Sequence, residues 1–225
     1  MKPEDLIPPF PKDNRQIVMH DRVWYVPDTH LVQNTFSFPG WEHGDFFANN
    51  QPVCIEYCSG NGAWIGEQAL ANPHINWIAI ERKFLRVRKI WAKIKNYNLK
   101  NLIVLCGEGF RATRTYFPSE TASDIYINFP DPWPKKRHAK NRLIQPLFVE
   151  ELARILKPGK AVTFVTDDEV YSEETIRLFL DNSHFFSQYP LPYFSTQEDN
   201  YGSSFFDELW RSKGKTIRYH RFIKK

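Results

Sequence analysis

Cysteine is scarce in this chain of 225 residues: only Cys54, Cys58 and Cys106 occur, an odd number with no C-x-x-C spacing. That argues against a disulfide framework and a cysteine zinc site, and predicts reduced, buried thiols, since all three sit in or beside apolar stretches. Long apolar runs are missing too. The longest, such as Val53 to Ile55 and Ile125 to Ile127, are far too short to cross a bilayer, and the first residues lack the apolar stretch of a signal peptide. No membrane association and a cytoplasmic location are therefore expected. The histidines, His20, His30, His43, His74, His138, His184 and His220, are too scattered to suggest a metal cluster, and no internal repeat or linker is visible.

What is present points to one folded α/β domain. Hydrophobic residues make up 42% of the chain and aromatic residues 16%, enough for a core and too much for a disordered chain. The length suits one large domain rather than two. Pro3, Pro8, Pro9, Pro11, Pro27 and Pro39 interrupt regular structure early, so residues 1–50 read as an irregular amino-terminal arm and residues 51–225 as the domain. Five short apolar stretches then recur at Val53 to Tyr57, Trp77 to Ile80, Leu102 to Leu105, Ile125 to Phe129 and Ala161 to Val165. Such runs are expected of parallel strands covered on both faces. Between them, Phe84, Val87, Ile90, Trp91 and Ile94 recur at helical spacing within Arg82 to Tyr97, with basic residues on the other face. Further helices are predicted from about Ile144 to Leu156 and about Glu169 to Asp181, and Thr216 to Ile223 reads as a final strand. The alternation implies right-handed βαβ units in a doubly wound, mostly parallel sheet with helices on both faces.

Ligands bind such sheets at the carboxyl ends of the strands. The first strand ends in Glu56-Tyr57-Cys58-Ser59-Gly60-Asn61-Gly62, where Gly60 and Gly62 allow a tight turn and close approach of a ligand. The second ends in Glu81, a carboxylate able to accept from ribose hydroxyls. The combination fits a nucleoside-containing cofactor. Ile65 occupies the third position of a dinucleotide fingerprint, and Glu56 would repel a pyrophosphate while suiting the ammonium group of a methionine moiety. S-adenosylmethionine is accordingly preferred over NAD. The plainer alternative, glycines that only close a strand-to-helix corner, stays open. After the third strand, Glu108 either binds the exocyclic amine of adenine or serves as a helix N-terminal acid.

The fourth strand leads into Asn128-Phe129-Pro130-Asp131-Pro132-Trp133-Pro134-Lys135-Lys136-Arg137-His138-Ala139-Lys140-Asn141-Arg142-Leu143. Three prolines predict a stiff, extended loop that presents Asp131 and Trp133. Cations for phosphates, a ring for stacking and an acid for the base together suit a site that modifies an RNA base. Further basic clusters, from Arg82 to Lys95 and from Arg211 to Lys225, attract polyanions more than the net charge of +4 suggests.

At this segment the chain resembles the bacterial tRNA (guanine-N7-)-methyltransferases. Asp131 to His138 match the family's run without interruption, followed by Lys140, Arg142 and Leu143, and the likeness extends from Asn34-Thr35-Phe36 to the carboxyl terminus. The resemblance implies a seven-stranded Rossmann-like methyltransferase sheet, S-adenosylmethionine as cofactor, and tRNA as partner, methylated at N7 of a guanine in its variable loop. It further implies cofactor contacts from Glu56, Glu81, Glu108 and Asp131, with Asp131 also catalytic, and substrate contacts from Lys135 and Asp167. The family's T-x-x-E motif aligns best with Ser204 to Asp207, making Ser204 and Asp207 substrate-binding, with Thr196 to Asp199 as a rival placement. Cys58 stands where the family has the first glycine of the turn, Asn61 where it often has lysine, and Glu108 where it has aspartate. No protein partner is indicated, and the chain is expected to be a monomer or homodimer.

Guanine N7 has an exposed lone pair, so no general base is expected. Asp131 should act electrostatically and hold the base, Asp167 and Asp207 should accept from guanine N1–H and N2–H₂, and Arg137, His138, Lys140 and Arg142 should contact RNA. Two rival readings are a methyltransferase acting on an exocyclic amine and a non-catalytic RNA-binding protein.

Overall fold

A computed structural model describes residues 1–7, 16–27, 36–199, 201–202 and 204–225, with only the backbone of Lys136. Pro8, Pro9, Pro11, His30 and the Asn34-Thr35 start of the family likeness lie outside the described residues. The chain divides into two compact units, Met1–Phe117 and Pro118–Lys225.

The first unit holds strands β1 (Val18–His20), β2 (Val23–Tyr25), β3 (Val53–Tyr57), β4 (Asn76–Glu81) and β5 (Leu102–Cys106), in sheet order β1-β2-β5-β4-β3. All pairs are parallel except β1 with β2. Every residue of β3, β4 and β5 is buried, which is why each reads as a continuous apolar run. Helices α1 (Ala63–Ala71), α2 (Phe84–Asn96) and α3 (Gly109–Tyr116) connect or follow them. The predicted stripe of α2 is the buried one: Val87, Ile90, Trp91 and Ile94 face inward, with Ala92. The helix ends in a Schellman motif, with Asn98 left-handed at φ 51° and the Leu99 amide donating to the Ile94 carbonyl at 2.9 Å.

The amino-terminal segment is more regular than its prolines suggested. Asp21 and Arg22, both at positive φ, close β1 and β2 as a two-residue hairpin, the turn that matches strand twist. The Asp21 carboxylate accepts from Trp91 Nε1 at 3.2 Å and pairs with Lys95, while Arg22 Nη1 donates to the Phe46 carbonyl at 2.5 Å. Trp24, fully buried on β2, packs with Phe38, Trp41, Phe46 and Phe117 at ring-centroid distances of 5.1–6.1 Å. Proline prevents long elements, but a three-residue strand fits between prolines and is held by its aromatic face.

The second unit holds β6 (Ala122–Asn128), β7 (Ala161–Thr166), β8 (Phe185–Ser187) and β9 (Arg218–Lys224), in order β6-β7-β9-β8. β6 and β7 run parallel, and β9 is antiparallel to both β7 and β8. Its helices are α4 (Pro146–Ile155), α5 (Glu169–Leu180) and α6 (Phe205–Ser212). Pro146 suits the first turn of α4, where its missing N–H is no loss, and Asp168 caps α5 by accepting from the Tyr171 amide at 2.8 Å. Phe179 stacks on Phe222 at 4.1 Å in the core. His220, fully buried there, is pushed down to about 4 by desolvation and stays neutral near pH 7. Nine strands are thus present among the described residues rather than the seven expected, β1 and β2 coming from the segment expected to be irregular.

Candidate active site

Because β5, β4 and β3 are adjacent and parallel, the acids at their carboxyl ends line one edge of the first unit, about 5 Å from strand to strand. Glu56, 2% exposed, is the fourth residue of β3. Glu81 ends β4 and is bonded on both oxygens: the Gly60 amide donates to Oε2 at 3.0 Å and the Lys83 amide to Oε1 at 2.8 Å, with Arg86 Nη1 3.7 Å away. The turn after β3 is thereby tied to the end of β4. Glu108 caps α3, accepting from the amides of Phe110 at 3.1 Å and Arg111 at 2.8 Å. Its helix-acid role is therefore realised, and a carboxylate oxygen that accepts one amide keeps capacity for a second donor.

Close packing explains the glycines. A Cβ on Gly62, whose φ is 68°, would lie 2.6 Å from Ile90 Cγ1, and one on Gly109 would lie 3.0 Å from Tyr57 Cδ1. Gly60 is left-handed at φ 57°. Cys58, where the family has glycine, is also left-handed at φ 62°, at a cost of about 1 kcal/mol for an L side chain.

In the second unit, Asp131 and Asp167 follow the neighbouring parallel strands β6 and β7, and the Phe129 amide extends that ladder by donating to the Val165 carbonyl at 2.9 Å. Asp131 is exposed. Burial holds the Asp167 carboxyl above the usual aspartate range, against the opposing effects of a backbone hydrogen bond and Lys215. The loop after β6 is not simply extended. Phe129 and Trp133 take positive φ, 47° and 44°, and Lys136–Asn141 forms a 3₁₀ helix. Left-handed non-glycine residues of this kind gather at functional sites. Trp133 is 37% exposed and meets the His138 ring edge-on at 5.9 Å, while Lys135, Arg137 and Lys140 are exposed.

Arg142 is a correction. Expected on the RNA, it is 5% exposed: Nε donates to the Pro132 carbonyl at 2.7 Å, Nη1 pairs with Glu174, and the guanidinium lies 5.0 Å from the centre of the Tyr171 ring. It fastens the loop from beneath, because a buried guanidinium needs partners for its donors. Ser204 and Asp207 are buried as well. Ser204 caps α6 by accepting from the Asp207 amide at 3.1 Å, and the Asp207 carboxylate is held by Arg211 Nε at 2.5 Å and by the Tyr219 hydroxyl. Thr196 and Asp199 are exposed. Arg211 was legible as the i+4 partner of Asp207; Tyr219 was not, since only the fold brings β9 to α6.

Residues 50–218 match a family described as "Putative methyltransferase". Across the whole chain, and 99% of the relative, 42% of residues are identical to the tRNA (guanine-N(7)-)-methyltransferase of Chlamydia abortus. The chain belongs to this methyltransferase family. Among solved structures, the antibiotic-resistance methyltransferase Kmr superposes with a TM-score of 0.55 at 14% identity, covering 79% of this chain and 89% of that one. A SAM-dependent methyltransferase from Aquifex aeolicus gives 0.53 at 15%, covering 78% and 85%. At such identities the likeness concerns the fold, which is the Rossmann-like methyltransferase fold.

Among the described residues no cluster of His, Cys, Asp and Glu could hold a metal ion, and no helix is long and apolar enough to cross a membrane.

Proposed function

We propose that the chain transfers a methyl group from S-adenosylmethionine to N7 of a guanine in the variable loop of tRNA. It would act in the cytoplasm, as a monomer or homodimer, with residues 51–225 serving as one methyltransferase domain. The full-length identity to a tRNA (guanine-N(7)-)-methyltransferase carries this reading. The first unit fits the cofactor: three acids stand at the ends of adjacent parallel strands, beside a turn in which a Cβ on Gly62 would strike Ile90. Glu56 suits the methionine ammonium, Glu81 the ribose hydroxyls and Glu108 the adenine amine. When bound, S-adenosylmethionine supplies an electrophilic methyl group on a sulfonium centre.

Guanine N7 carries its own lone pair, so no residue has to remove a proton. Asp131 holds the base and stabilises the positive charge that grows on the purine. Asp167 accepts from guanine N1–H and N2–H₂, which adenine cannot offer. It must be ionised to do so, and with its pKa raised by burial, activity falls at a higher pH than an ordinary aspartate would set. Lys135, Arg137 and Lys140 grip phosphate, and Trp133 offers a stacking face.

The test is transfer of labelled methyl to unmodified tRNA with the product nucleoside identified by mass spectrometry. N7-methylguanosine is expected. N6-methyladenosine would move the assignment to an exocyclic amine, and tight RNA binding without transfer would leave a non-catalytic RNA-binding protein.

A further inference from the structure

Helix α2 carries Arg86, Arg88, Lys89, Lys93 and Lys95 and no acid. The helical repeat divides these cations between two flanks about 140° apart. Arg88 and Lys95 lie on one flank and are used by the fold: Arg88 Nη2 donates to the Glu4 carbonyl at 2.6 Å, and Lys95 pairs with Asp21. The amino terminus is tied down on the same side, the Met1 amine donating to Asn96 Oδ1 at 2.9 Å and Asn96 Nδ2 to the Met1 carbonyl at 3.0 Å.

Arg86, Lys89 and Lys93 form the other flank, within about 60° of one another and at axial steps of about 4.5 and 6 Å. Arg86 and Lys89 are exposed, and the half-buried Lys93 lays its stem against α1, where a Cβ on Gly66 would meet Lys93 Cδ at 3.4 Å. Among the described residues no acid pairs with Lys89 or Lys93. Arg86 stands 3.7 Å from Glu81, so the stripe begins at the strand-end edge of the first unit and leads away from it towards Tyr97, which is 56% exposed. Folding does not account for this row. Lys89 and Lys93 repel each other at i and i+4, and Arg86 opposes the macrodipole in a first turn that holds no acid, whereas α5 has Glu169 there and α6 has Asp207 and Glu208. A polyanion laid along the row would neutralise both penalties.

We infer that Arg86, Lys89 and Lys93 are a second phosphate track, which holds RNA backbone outside the methylated loop and so adds to the grip of Lys135, Arg137 and Lys140. The track acts by charge and reads no base, so it sets affinity and leaves the chemical step alone. The inference rests on the RNA-methylating reading, which the wild-type product assay tests separately, since N7-methylguanosine can form with or without the track.

The experiment compares the full-length wild type with Lys89→Gln/Lys93→Gln and with Lys157→Gln/Lys160→Gln, which removes the same charge from exposed positions at the turn before β7. Binding of unmodified tRNA is measured across a salt series, together with kinetic constants and thermal midpoints. The α2 pair should lower the slope of log K against log salt by about 1.4–1.8 and raise the KM for tRNA about tenfold at low salt, the difference closing as salt rises. The kcat and the KM for S-adenosylmethionine should stay within about twofold, and the thermal midpoint should not fall. The control pair should behave as wild type. In the wild type, bound tRNA should shield Lys89 and Lys93 from acetylation by an amine-reactive ester, read by peptide mass spectrometry, while S-adenosylmethionine alone should not. An unchanged salt slope, a change no larger than that of the control pair, or equal labelling with and without tRNA would reduce the stripe to a solvated helix face and overturn the inference. Unchanged tRNA binding with lost binding to phosphatidylserine vesicles would assign the stripe to a membrane surface and equally overturn it. Should the double variant fail to fold, the labelling of the wild-type protein still decides.

Discussion

Acids end the strands of both units, but their surroundings differ. In the first unit Glu81 and Glu108 each accept two backbone amides and Glu56 is 2% exposed. In the second, Asp131 stands exposed on a loop with two left-handed residues, and Asp167 is half-buried. An edge whose acids are bonded into the fold keeps a fixed shape and suits a small cofactor that is always the same. An edge whose acids stand on a loop suits a large polyanion that must arrive, be oriented and leave. The contrast predicts that removing an exposed side chain at the second edge costs function without stability, and that disturbing a tightly packed residue at the first costs both.

The sharpest test is Asp131→Ala. Losing a preorganised electrostatic group costs on the order of 10²–10³ in kcat, and a loss at least that large is expected here, measured by methyl transfer at saturating tRNA. Cofactor affinity, measured by calorimetry, should change far less, and the thermal midpoint not at all, since the side chain is exposed. Unchanged methylation would remove Asp131 from the chemistry.

Next in size is Arg142→Gln, set against Lys140→Gln two residues earlier. Arg142 fastens Pro132 and Glu174 from inside, so its loss leaves buried groups unpaired and should cost about 2 kcal/mol. Lys140 is exposed, so its loss should leave stability alone and instead reduce the slope of log K against log salt for tRNA binding by about 0.7–0.9. Equal salt effects from the two variants would put Arg142 back on the RNA.

Arg142 also marks where the sequence stops being informative. Apolar runs and helical stripes located all five core strands and three of the helices, because burial on both faces of a parallel sheet leaves a local pattern. The acids of the strand ends followed from the same pattern, since topology alone sends ligands to that edge. Whether a given cation faces solvent or the interior is decided by residues distant in the chain: Glu174 and Tyr171 lie 32 and 29 positions from Arg142. No local pattern separates it from Lys140. The same holds for Tyr219 and Asp207, and for Trp24, whose strand is too short to show alternation.

At the first edge, Gly62→Ala should damage stability and cofactor binding together. The new Cβ would sit 2.6 Å from Ile90 Cγ1 at a φ of 68°. Overpacking and left-handed strain together amount to about 2 kcal/mol or more. The thermal midpoint should drop by roughly 5 °C for a chain of this size, and affinity for S-adenosylmethionine should weaken as the turn shifts. A variant with full stability and weakened binding would mean that the glycine serves the ligand alone.

The smallest effect, and the one that bears most directly on how rigid the first edge is, belongs to Cys58→Gly. Cys58 holds φ 62° two residues before Gly60, and glycine at that position relieves the strain while adding unfolded-state entropy. The two contributions nearly cancel, leaving an expected gain of about 0.5 kcal/mol, read from denaturant midpoints at unchanged m. The turn on either side is already fixed by the Gly60 amide on Glu81 and the Gly62 amide on the Ser59 carbonyl, 3.0 and 2.8 Å respectively. Cofactor affinity should therefore stay within about twofold, since about 0.4 kcal/mol is a factor of two. A gain in affinity of tenfold or more would show that the thiol displaces the turn from its binding geometry, and that the first edge is less preorganised than its hydrogen bonds imply.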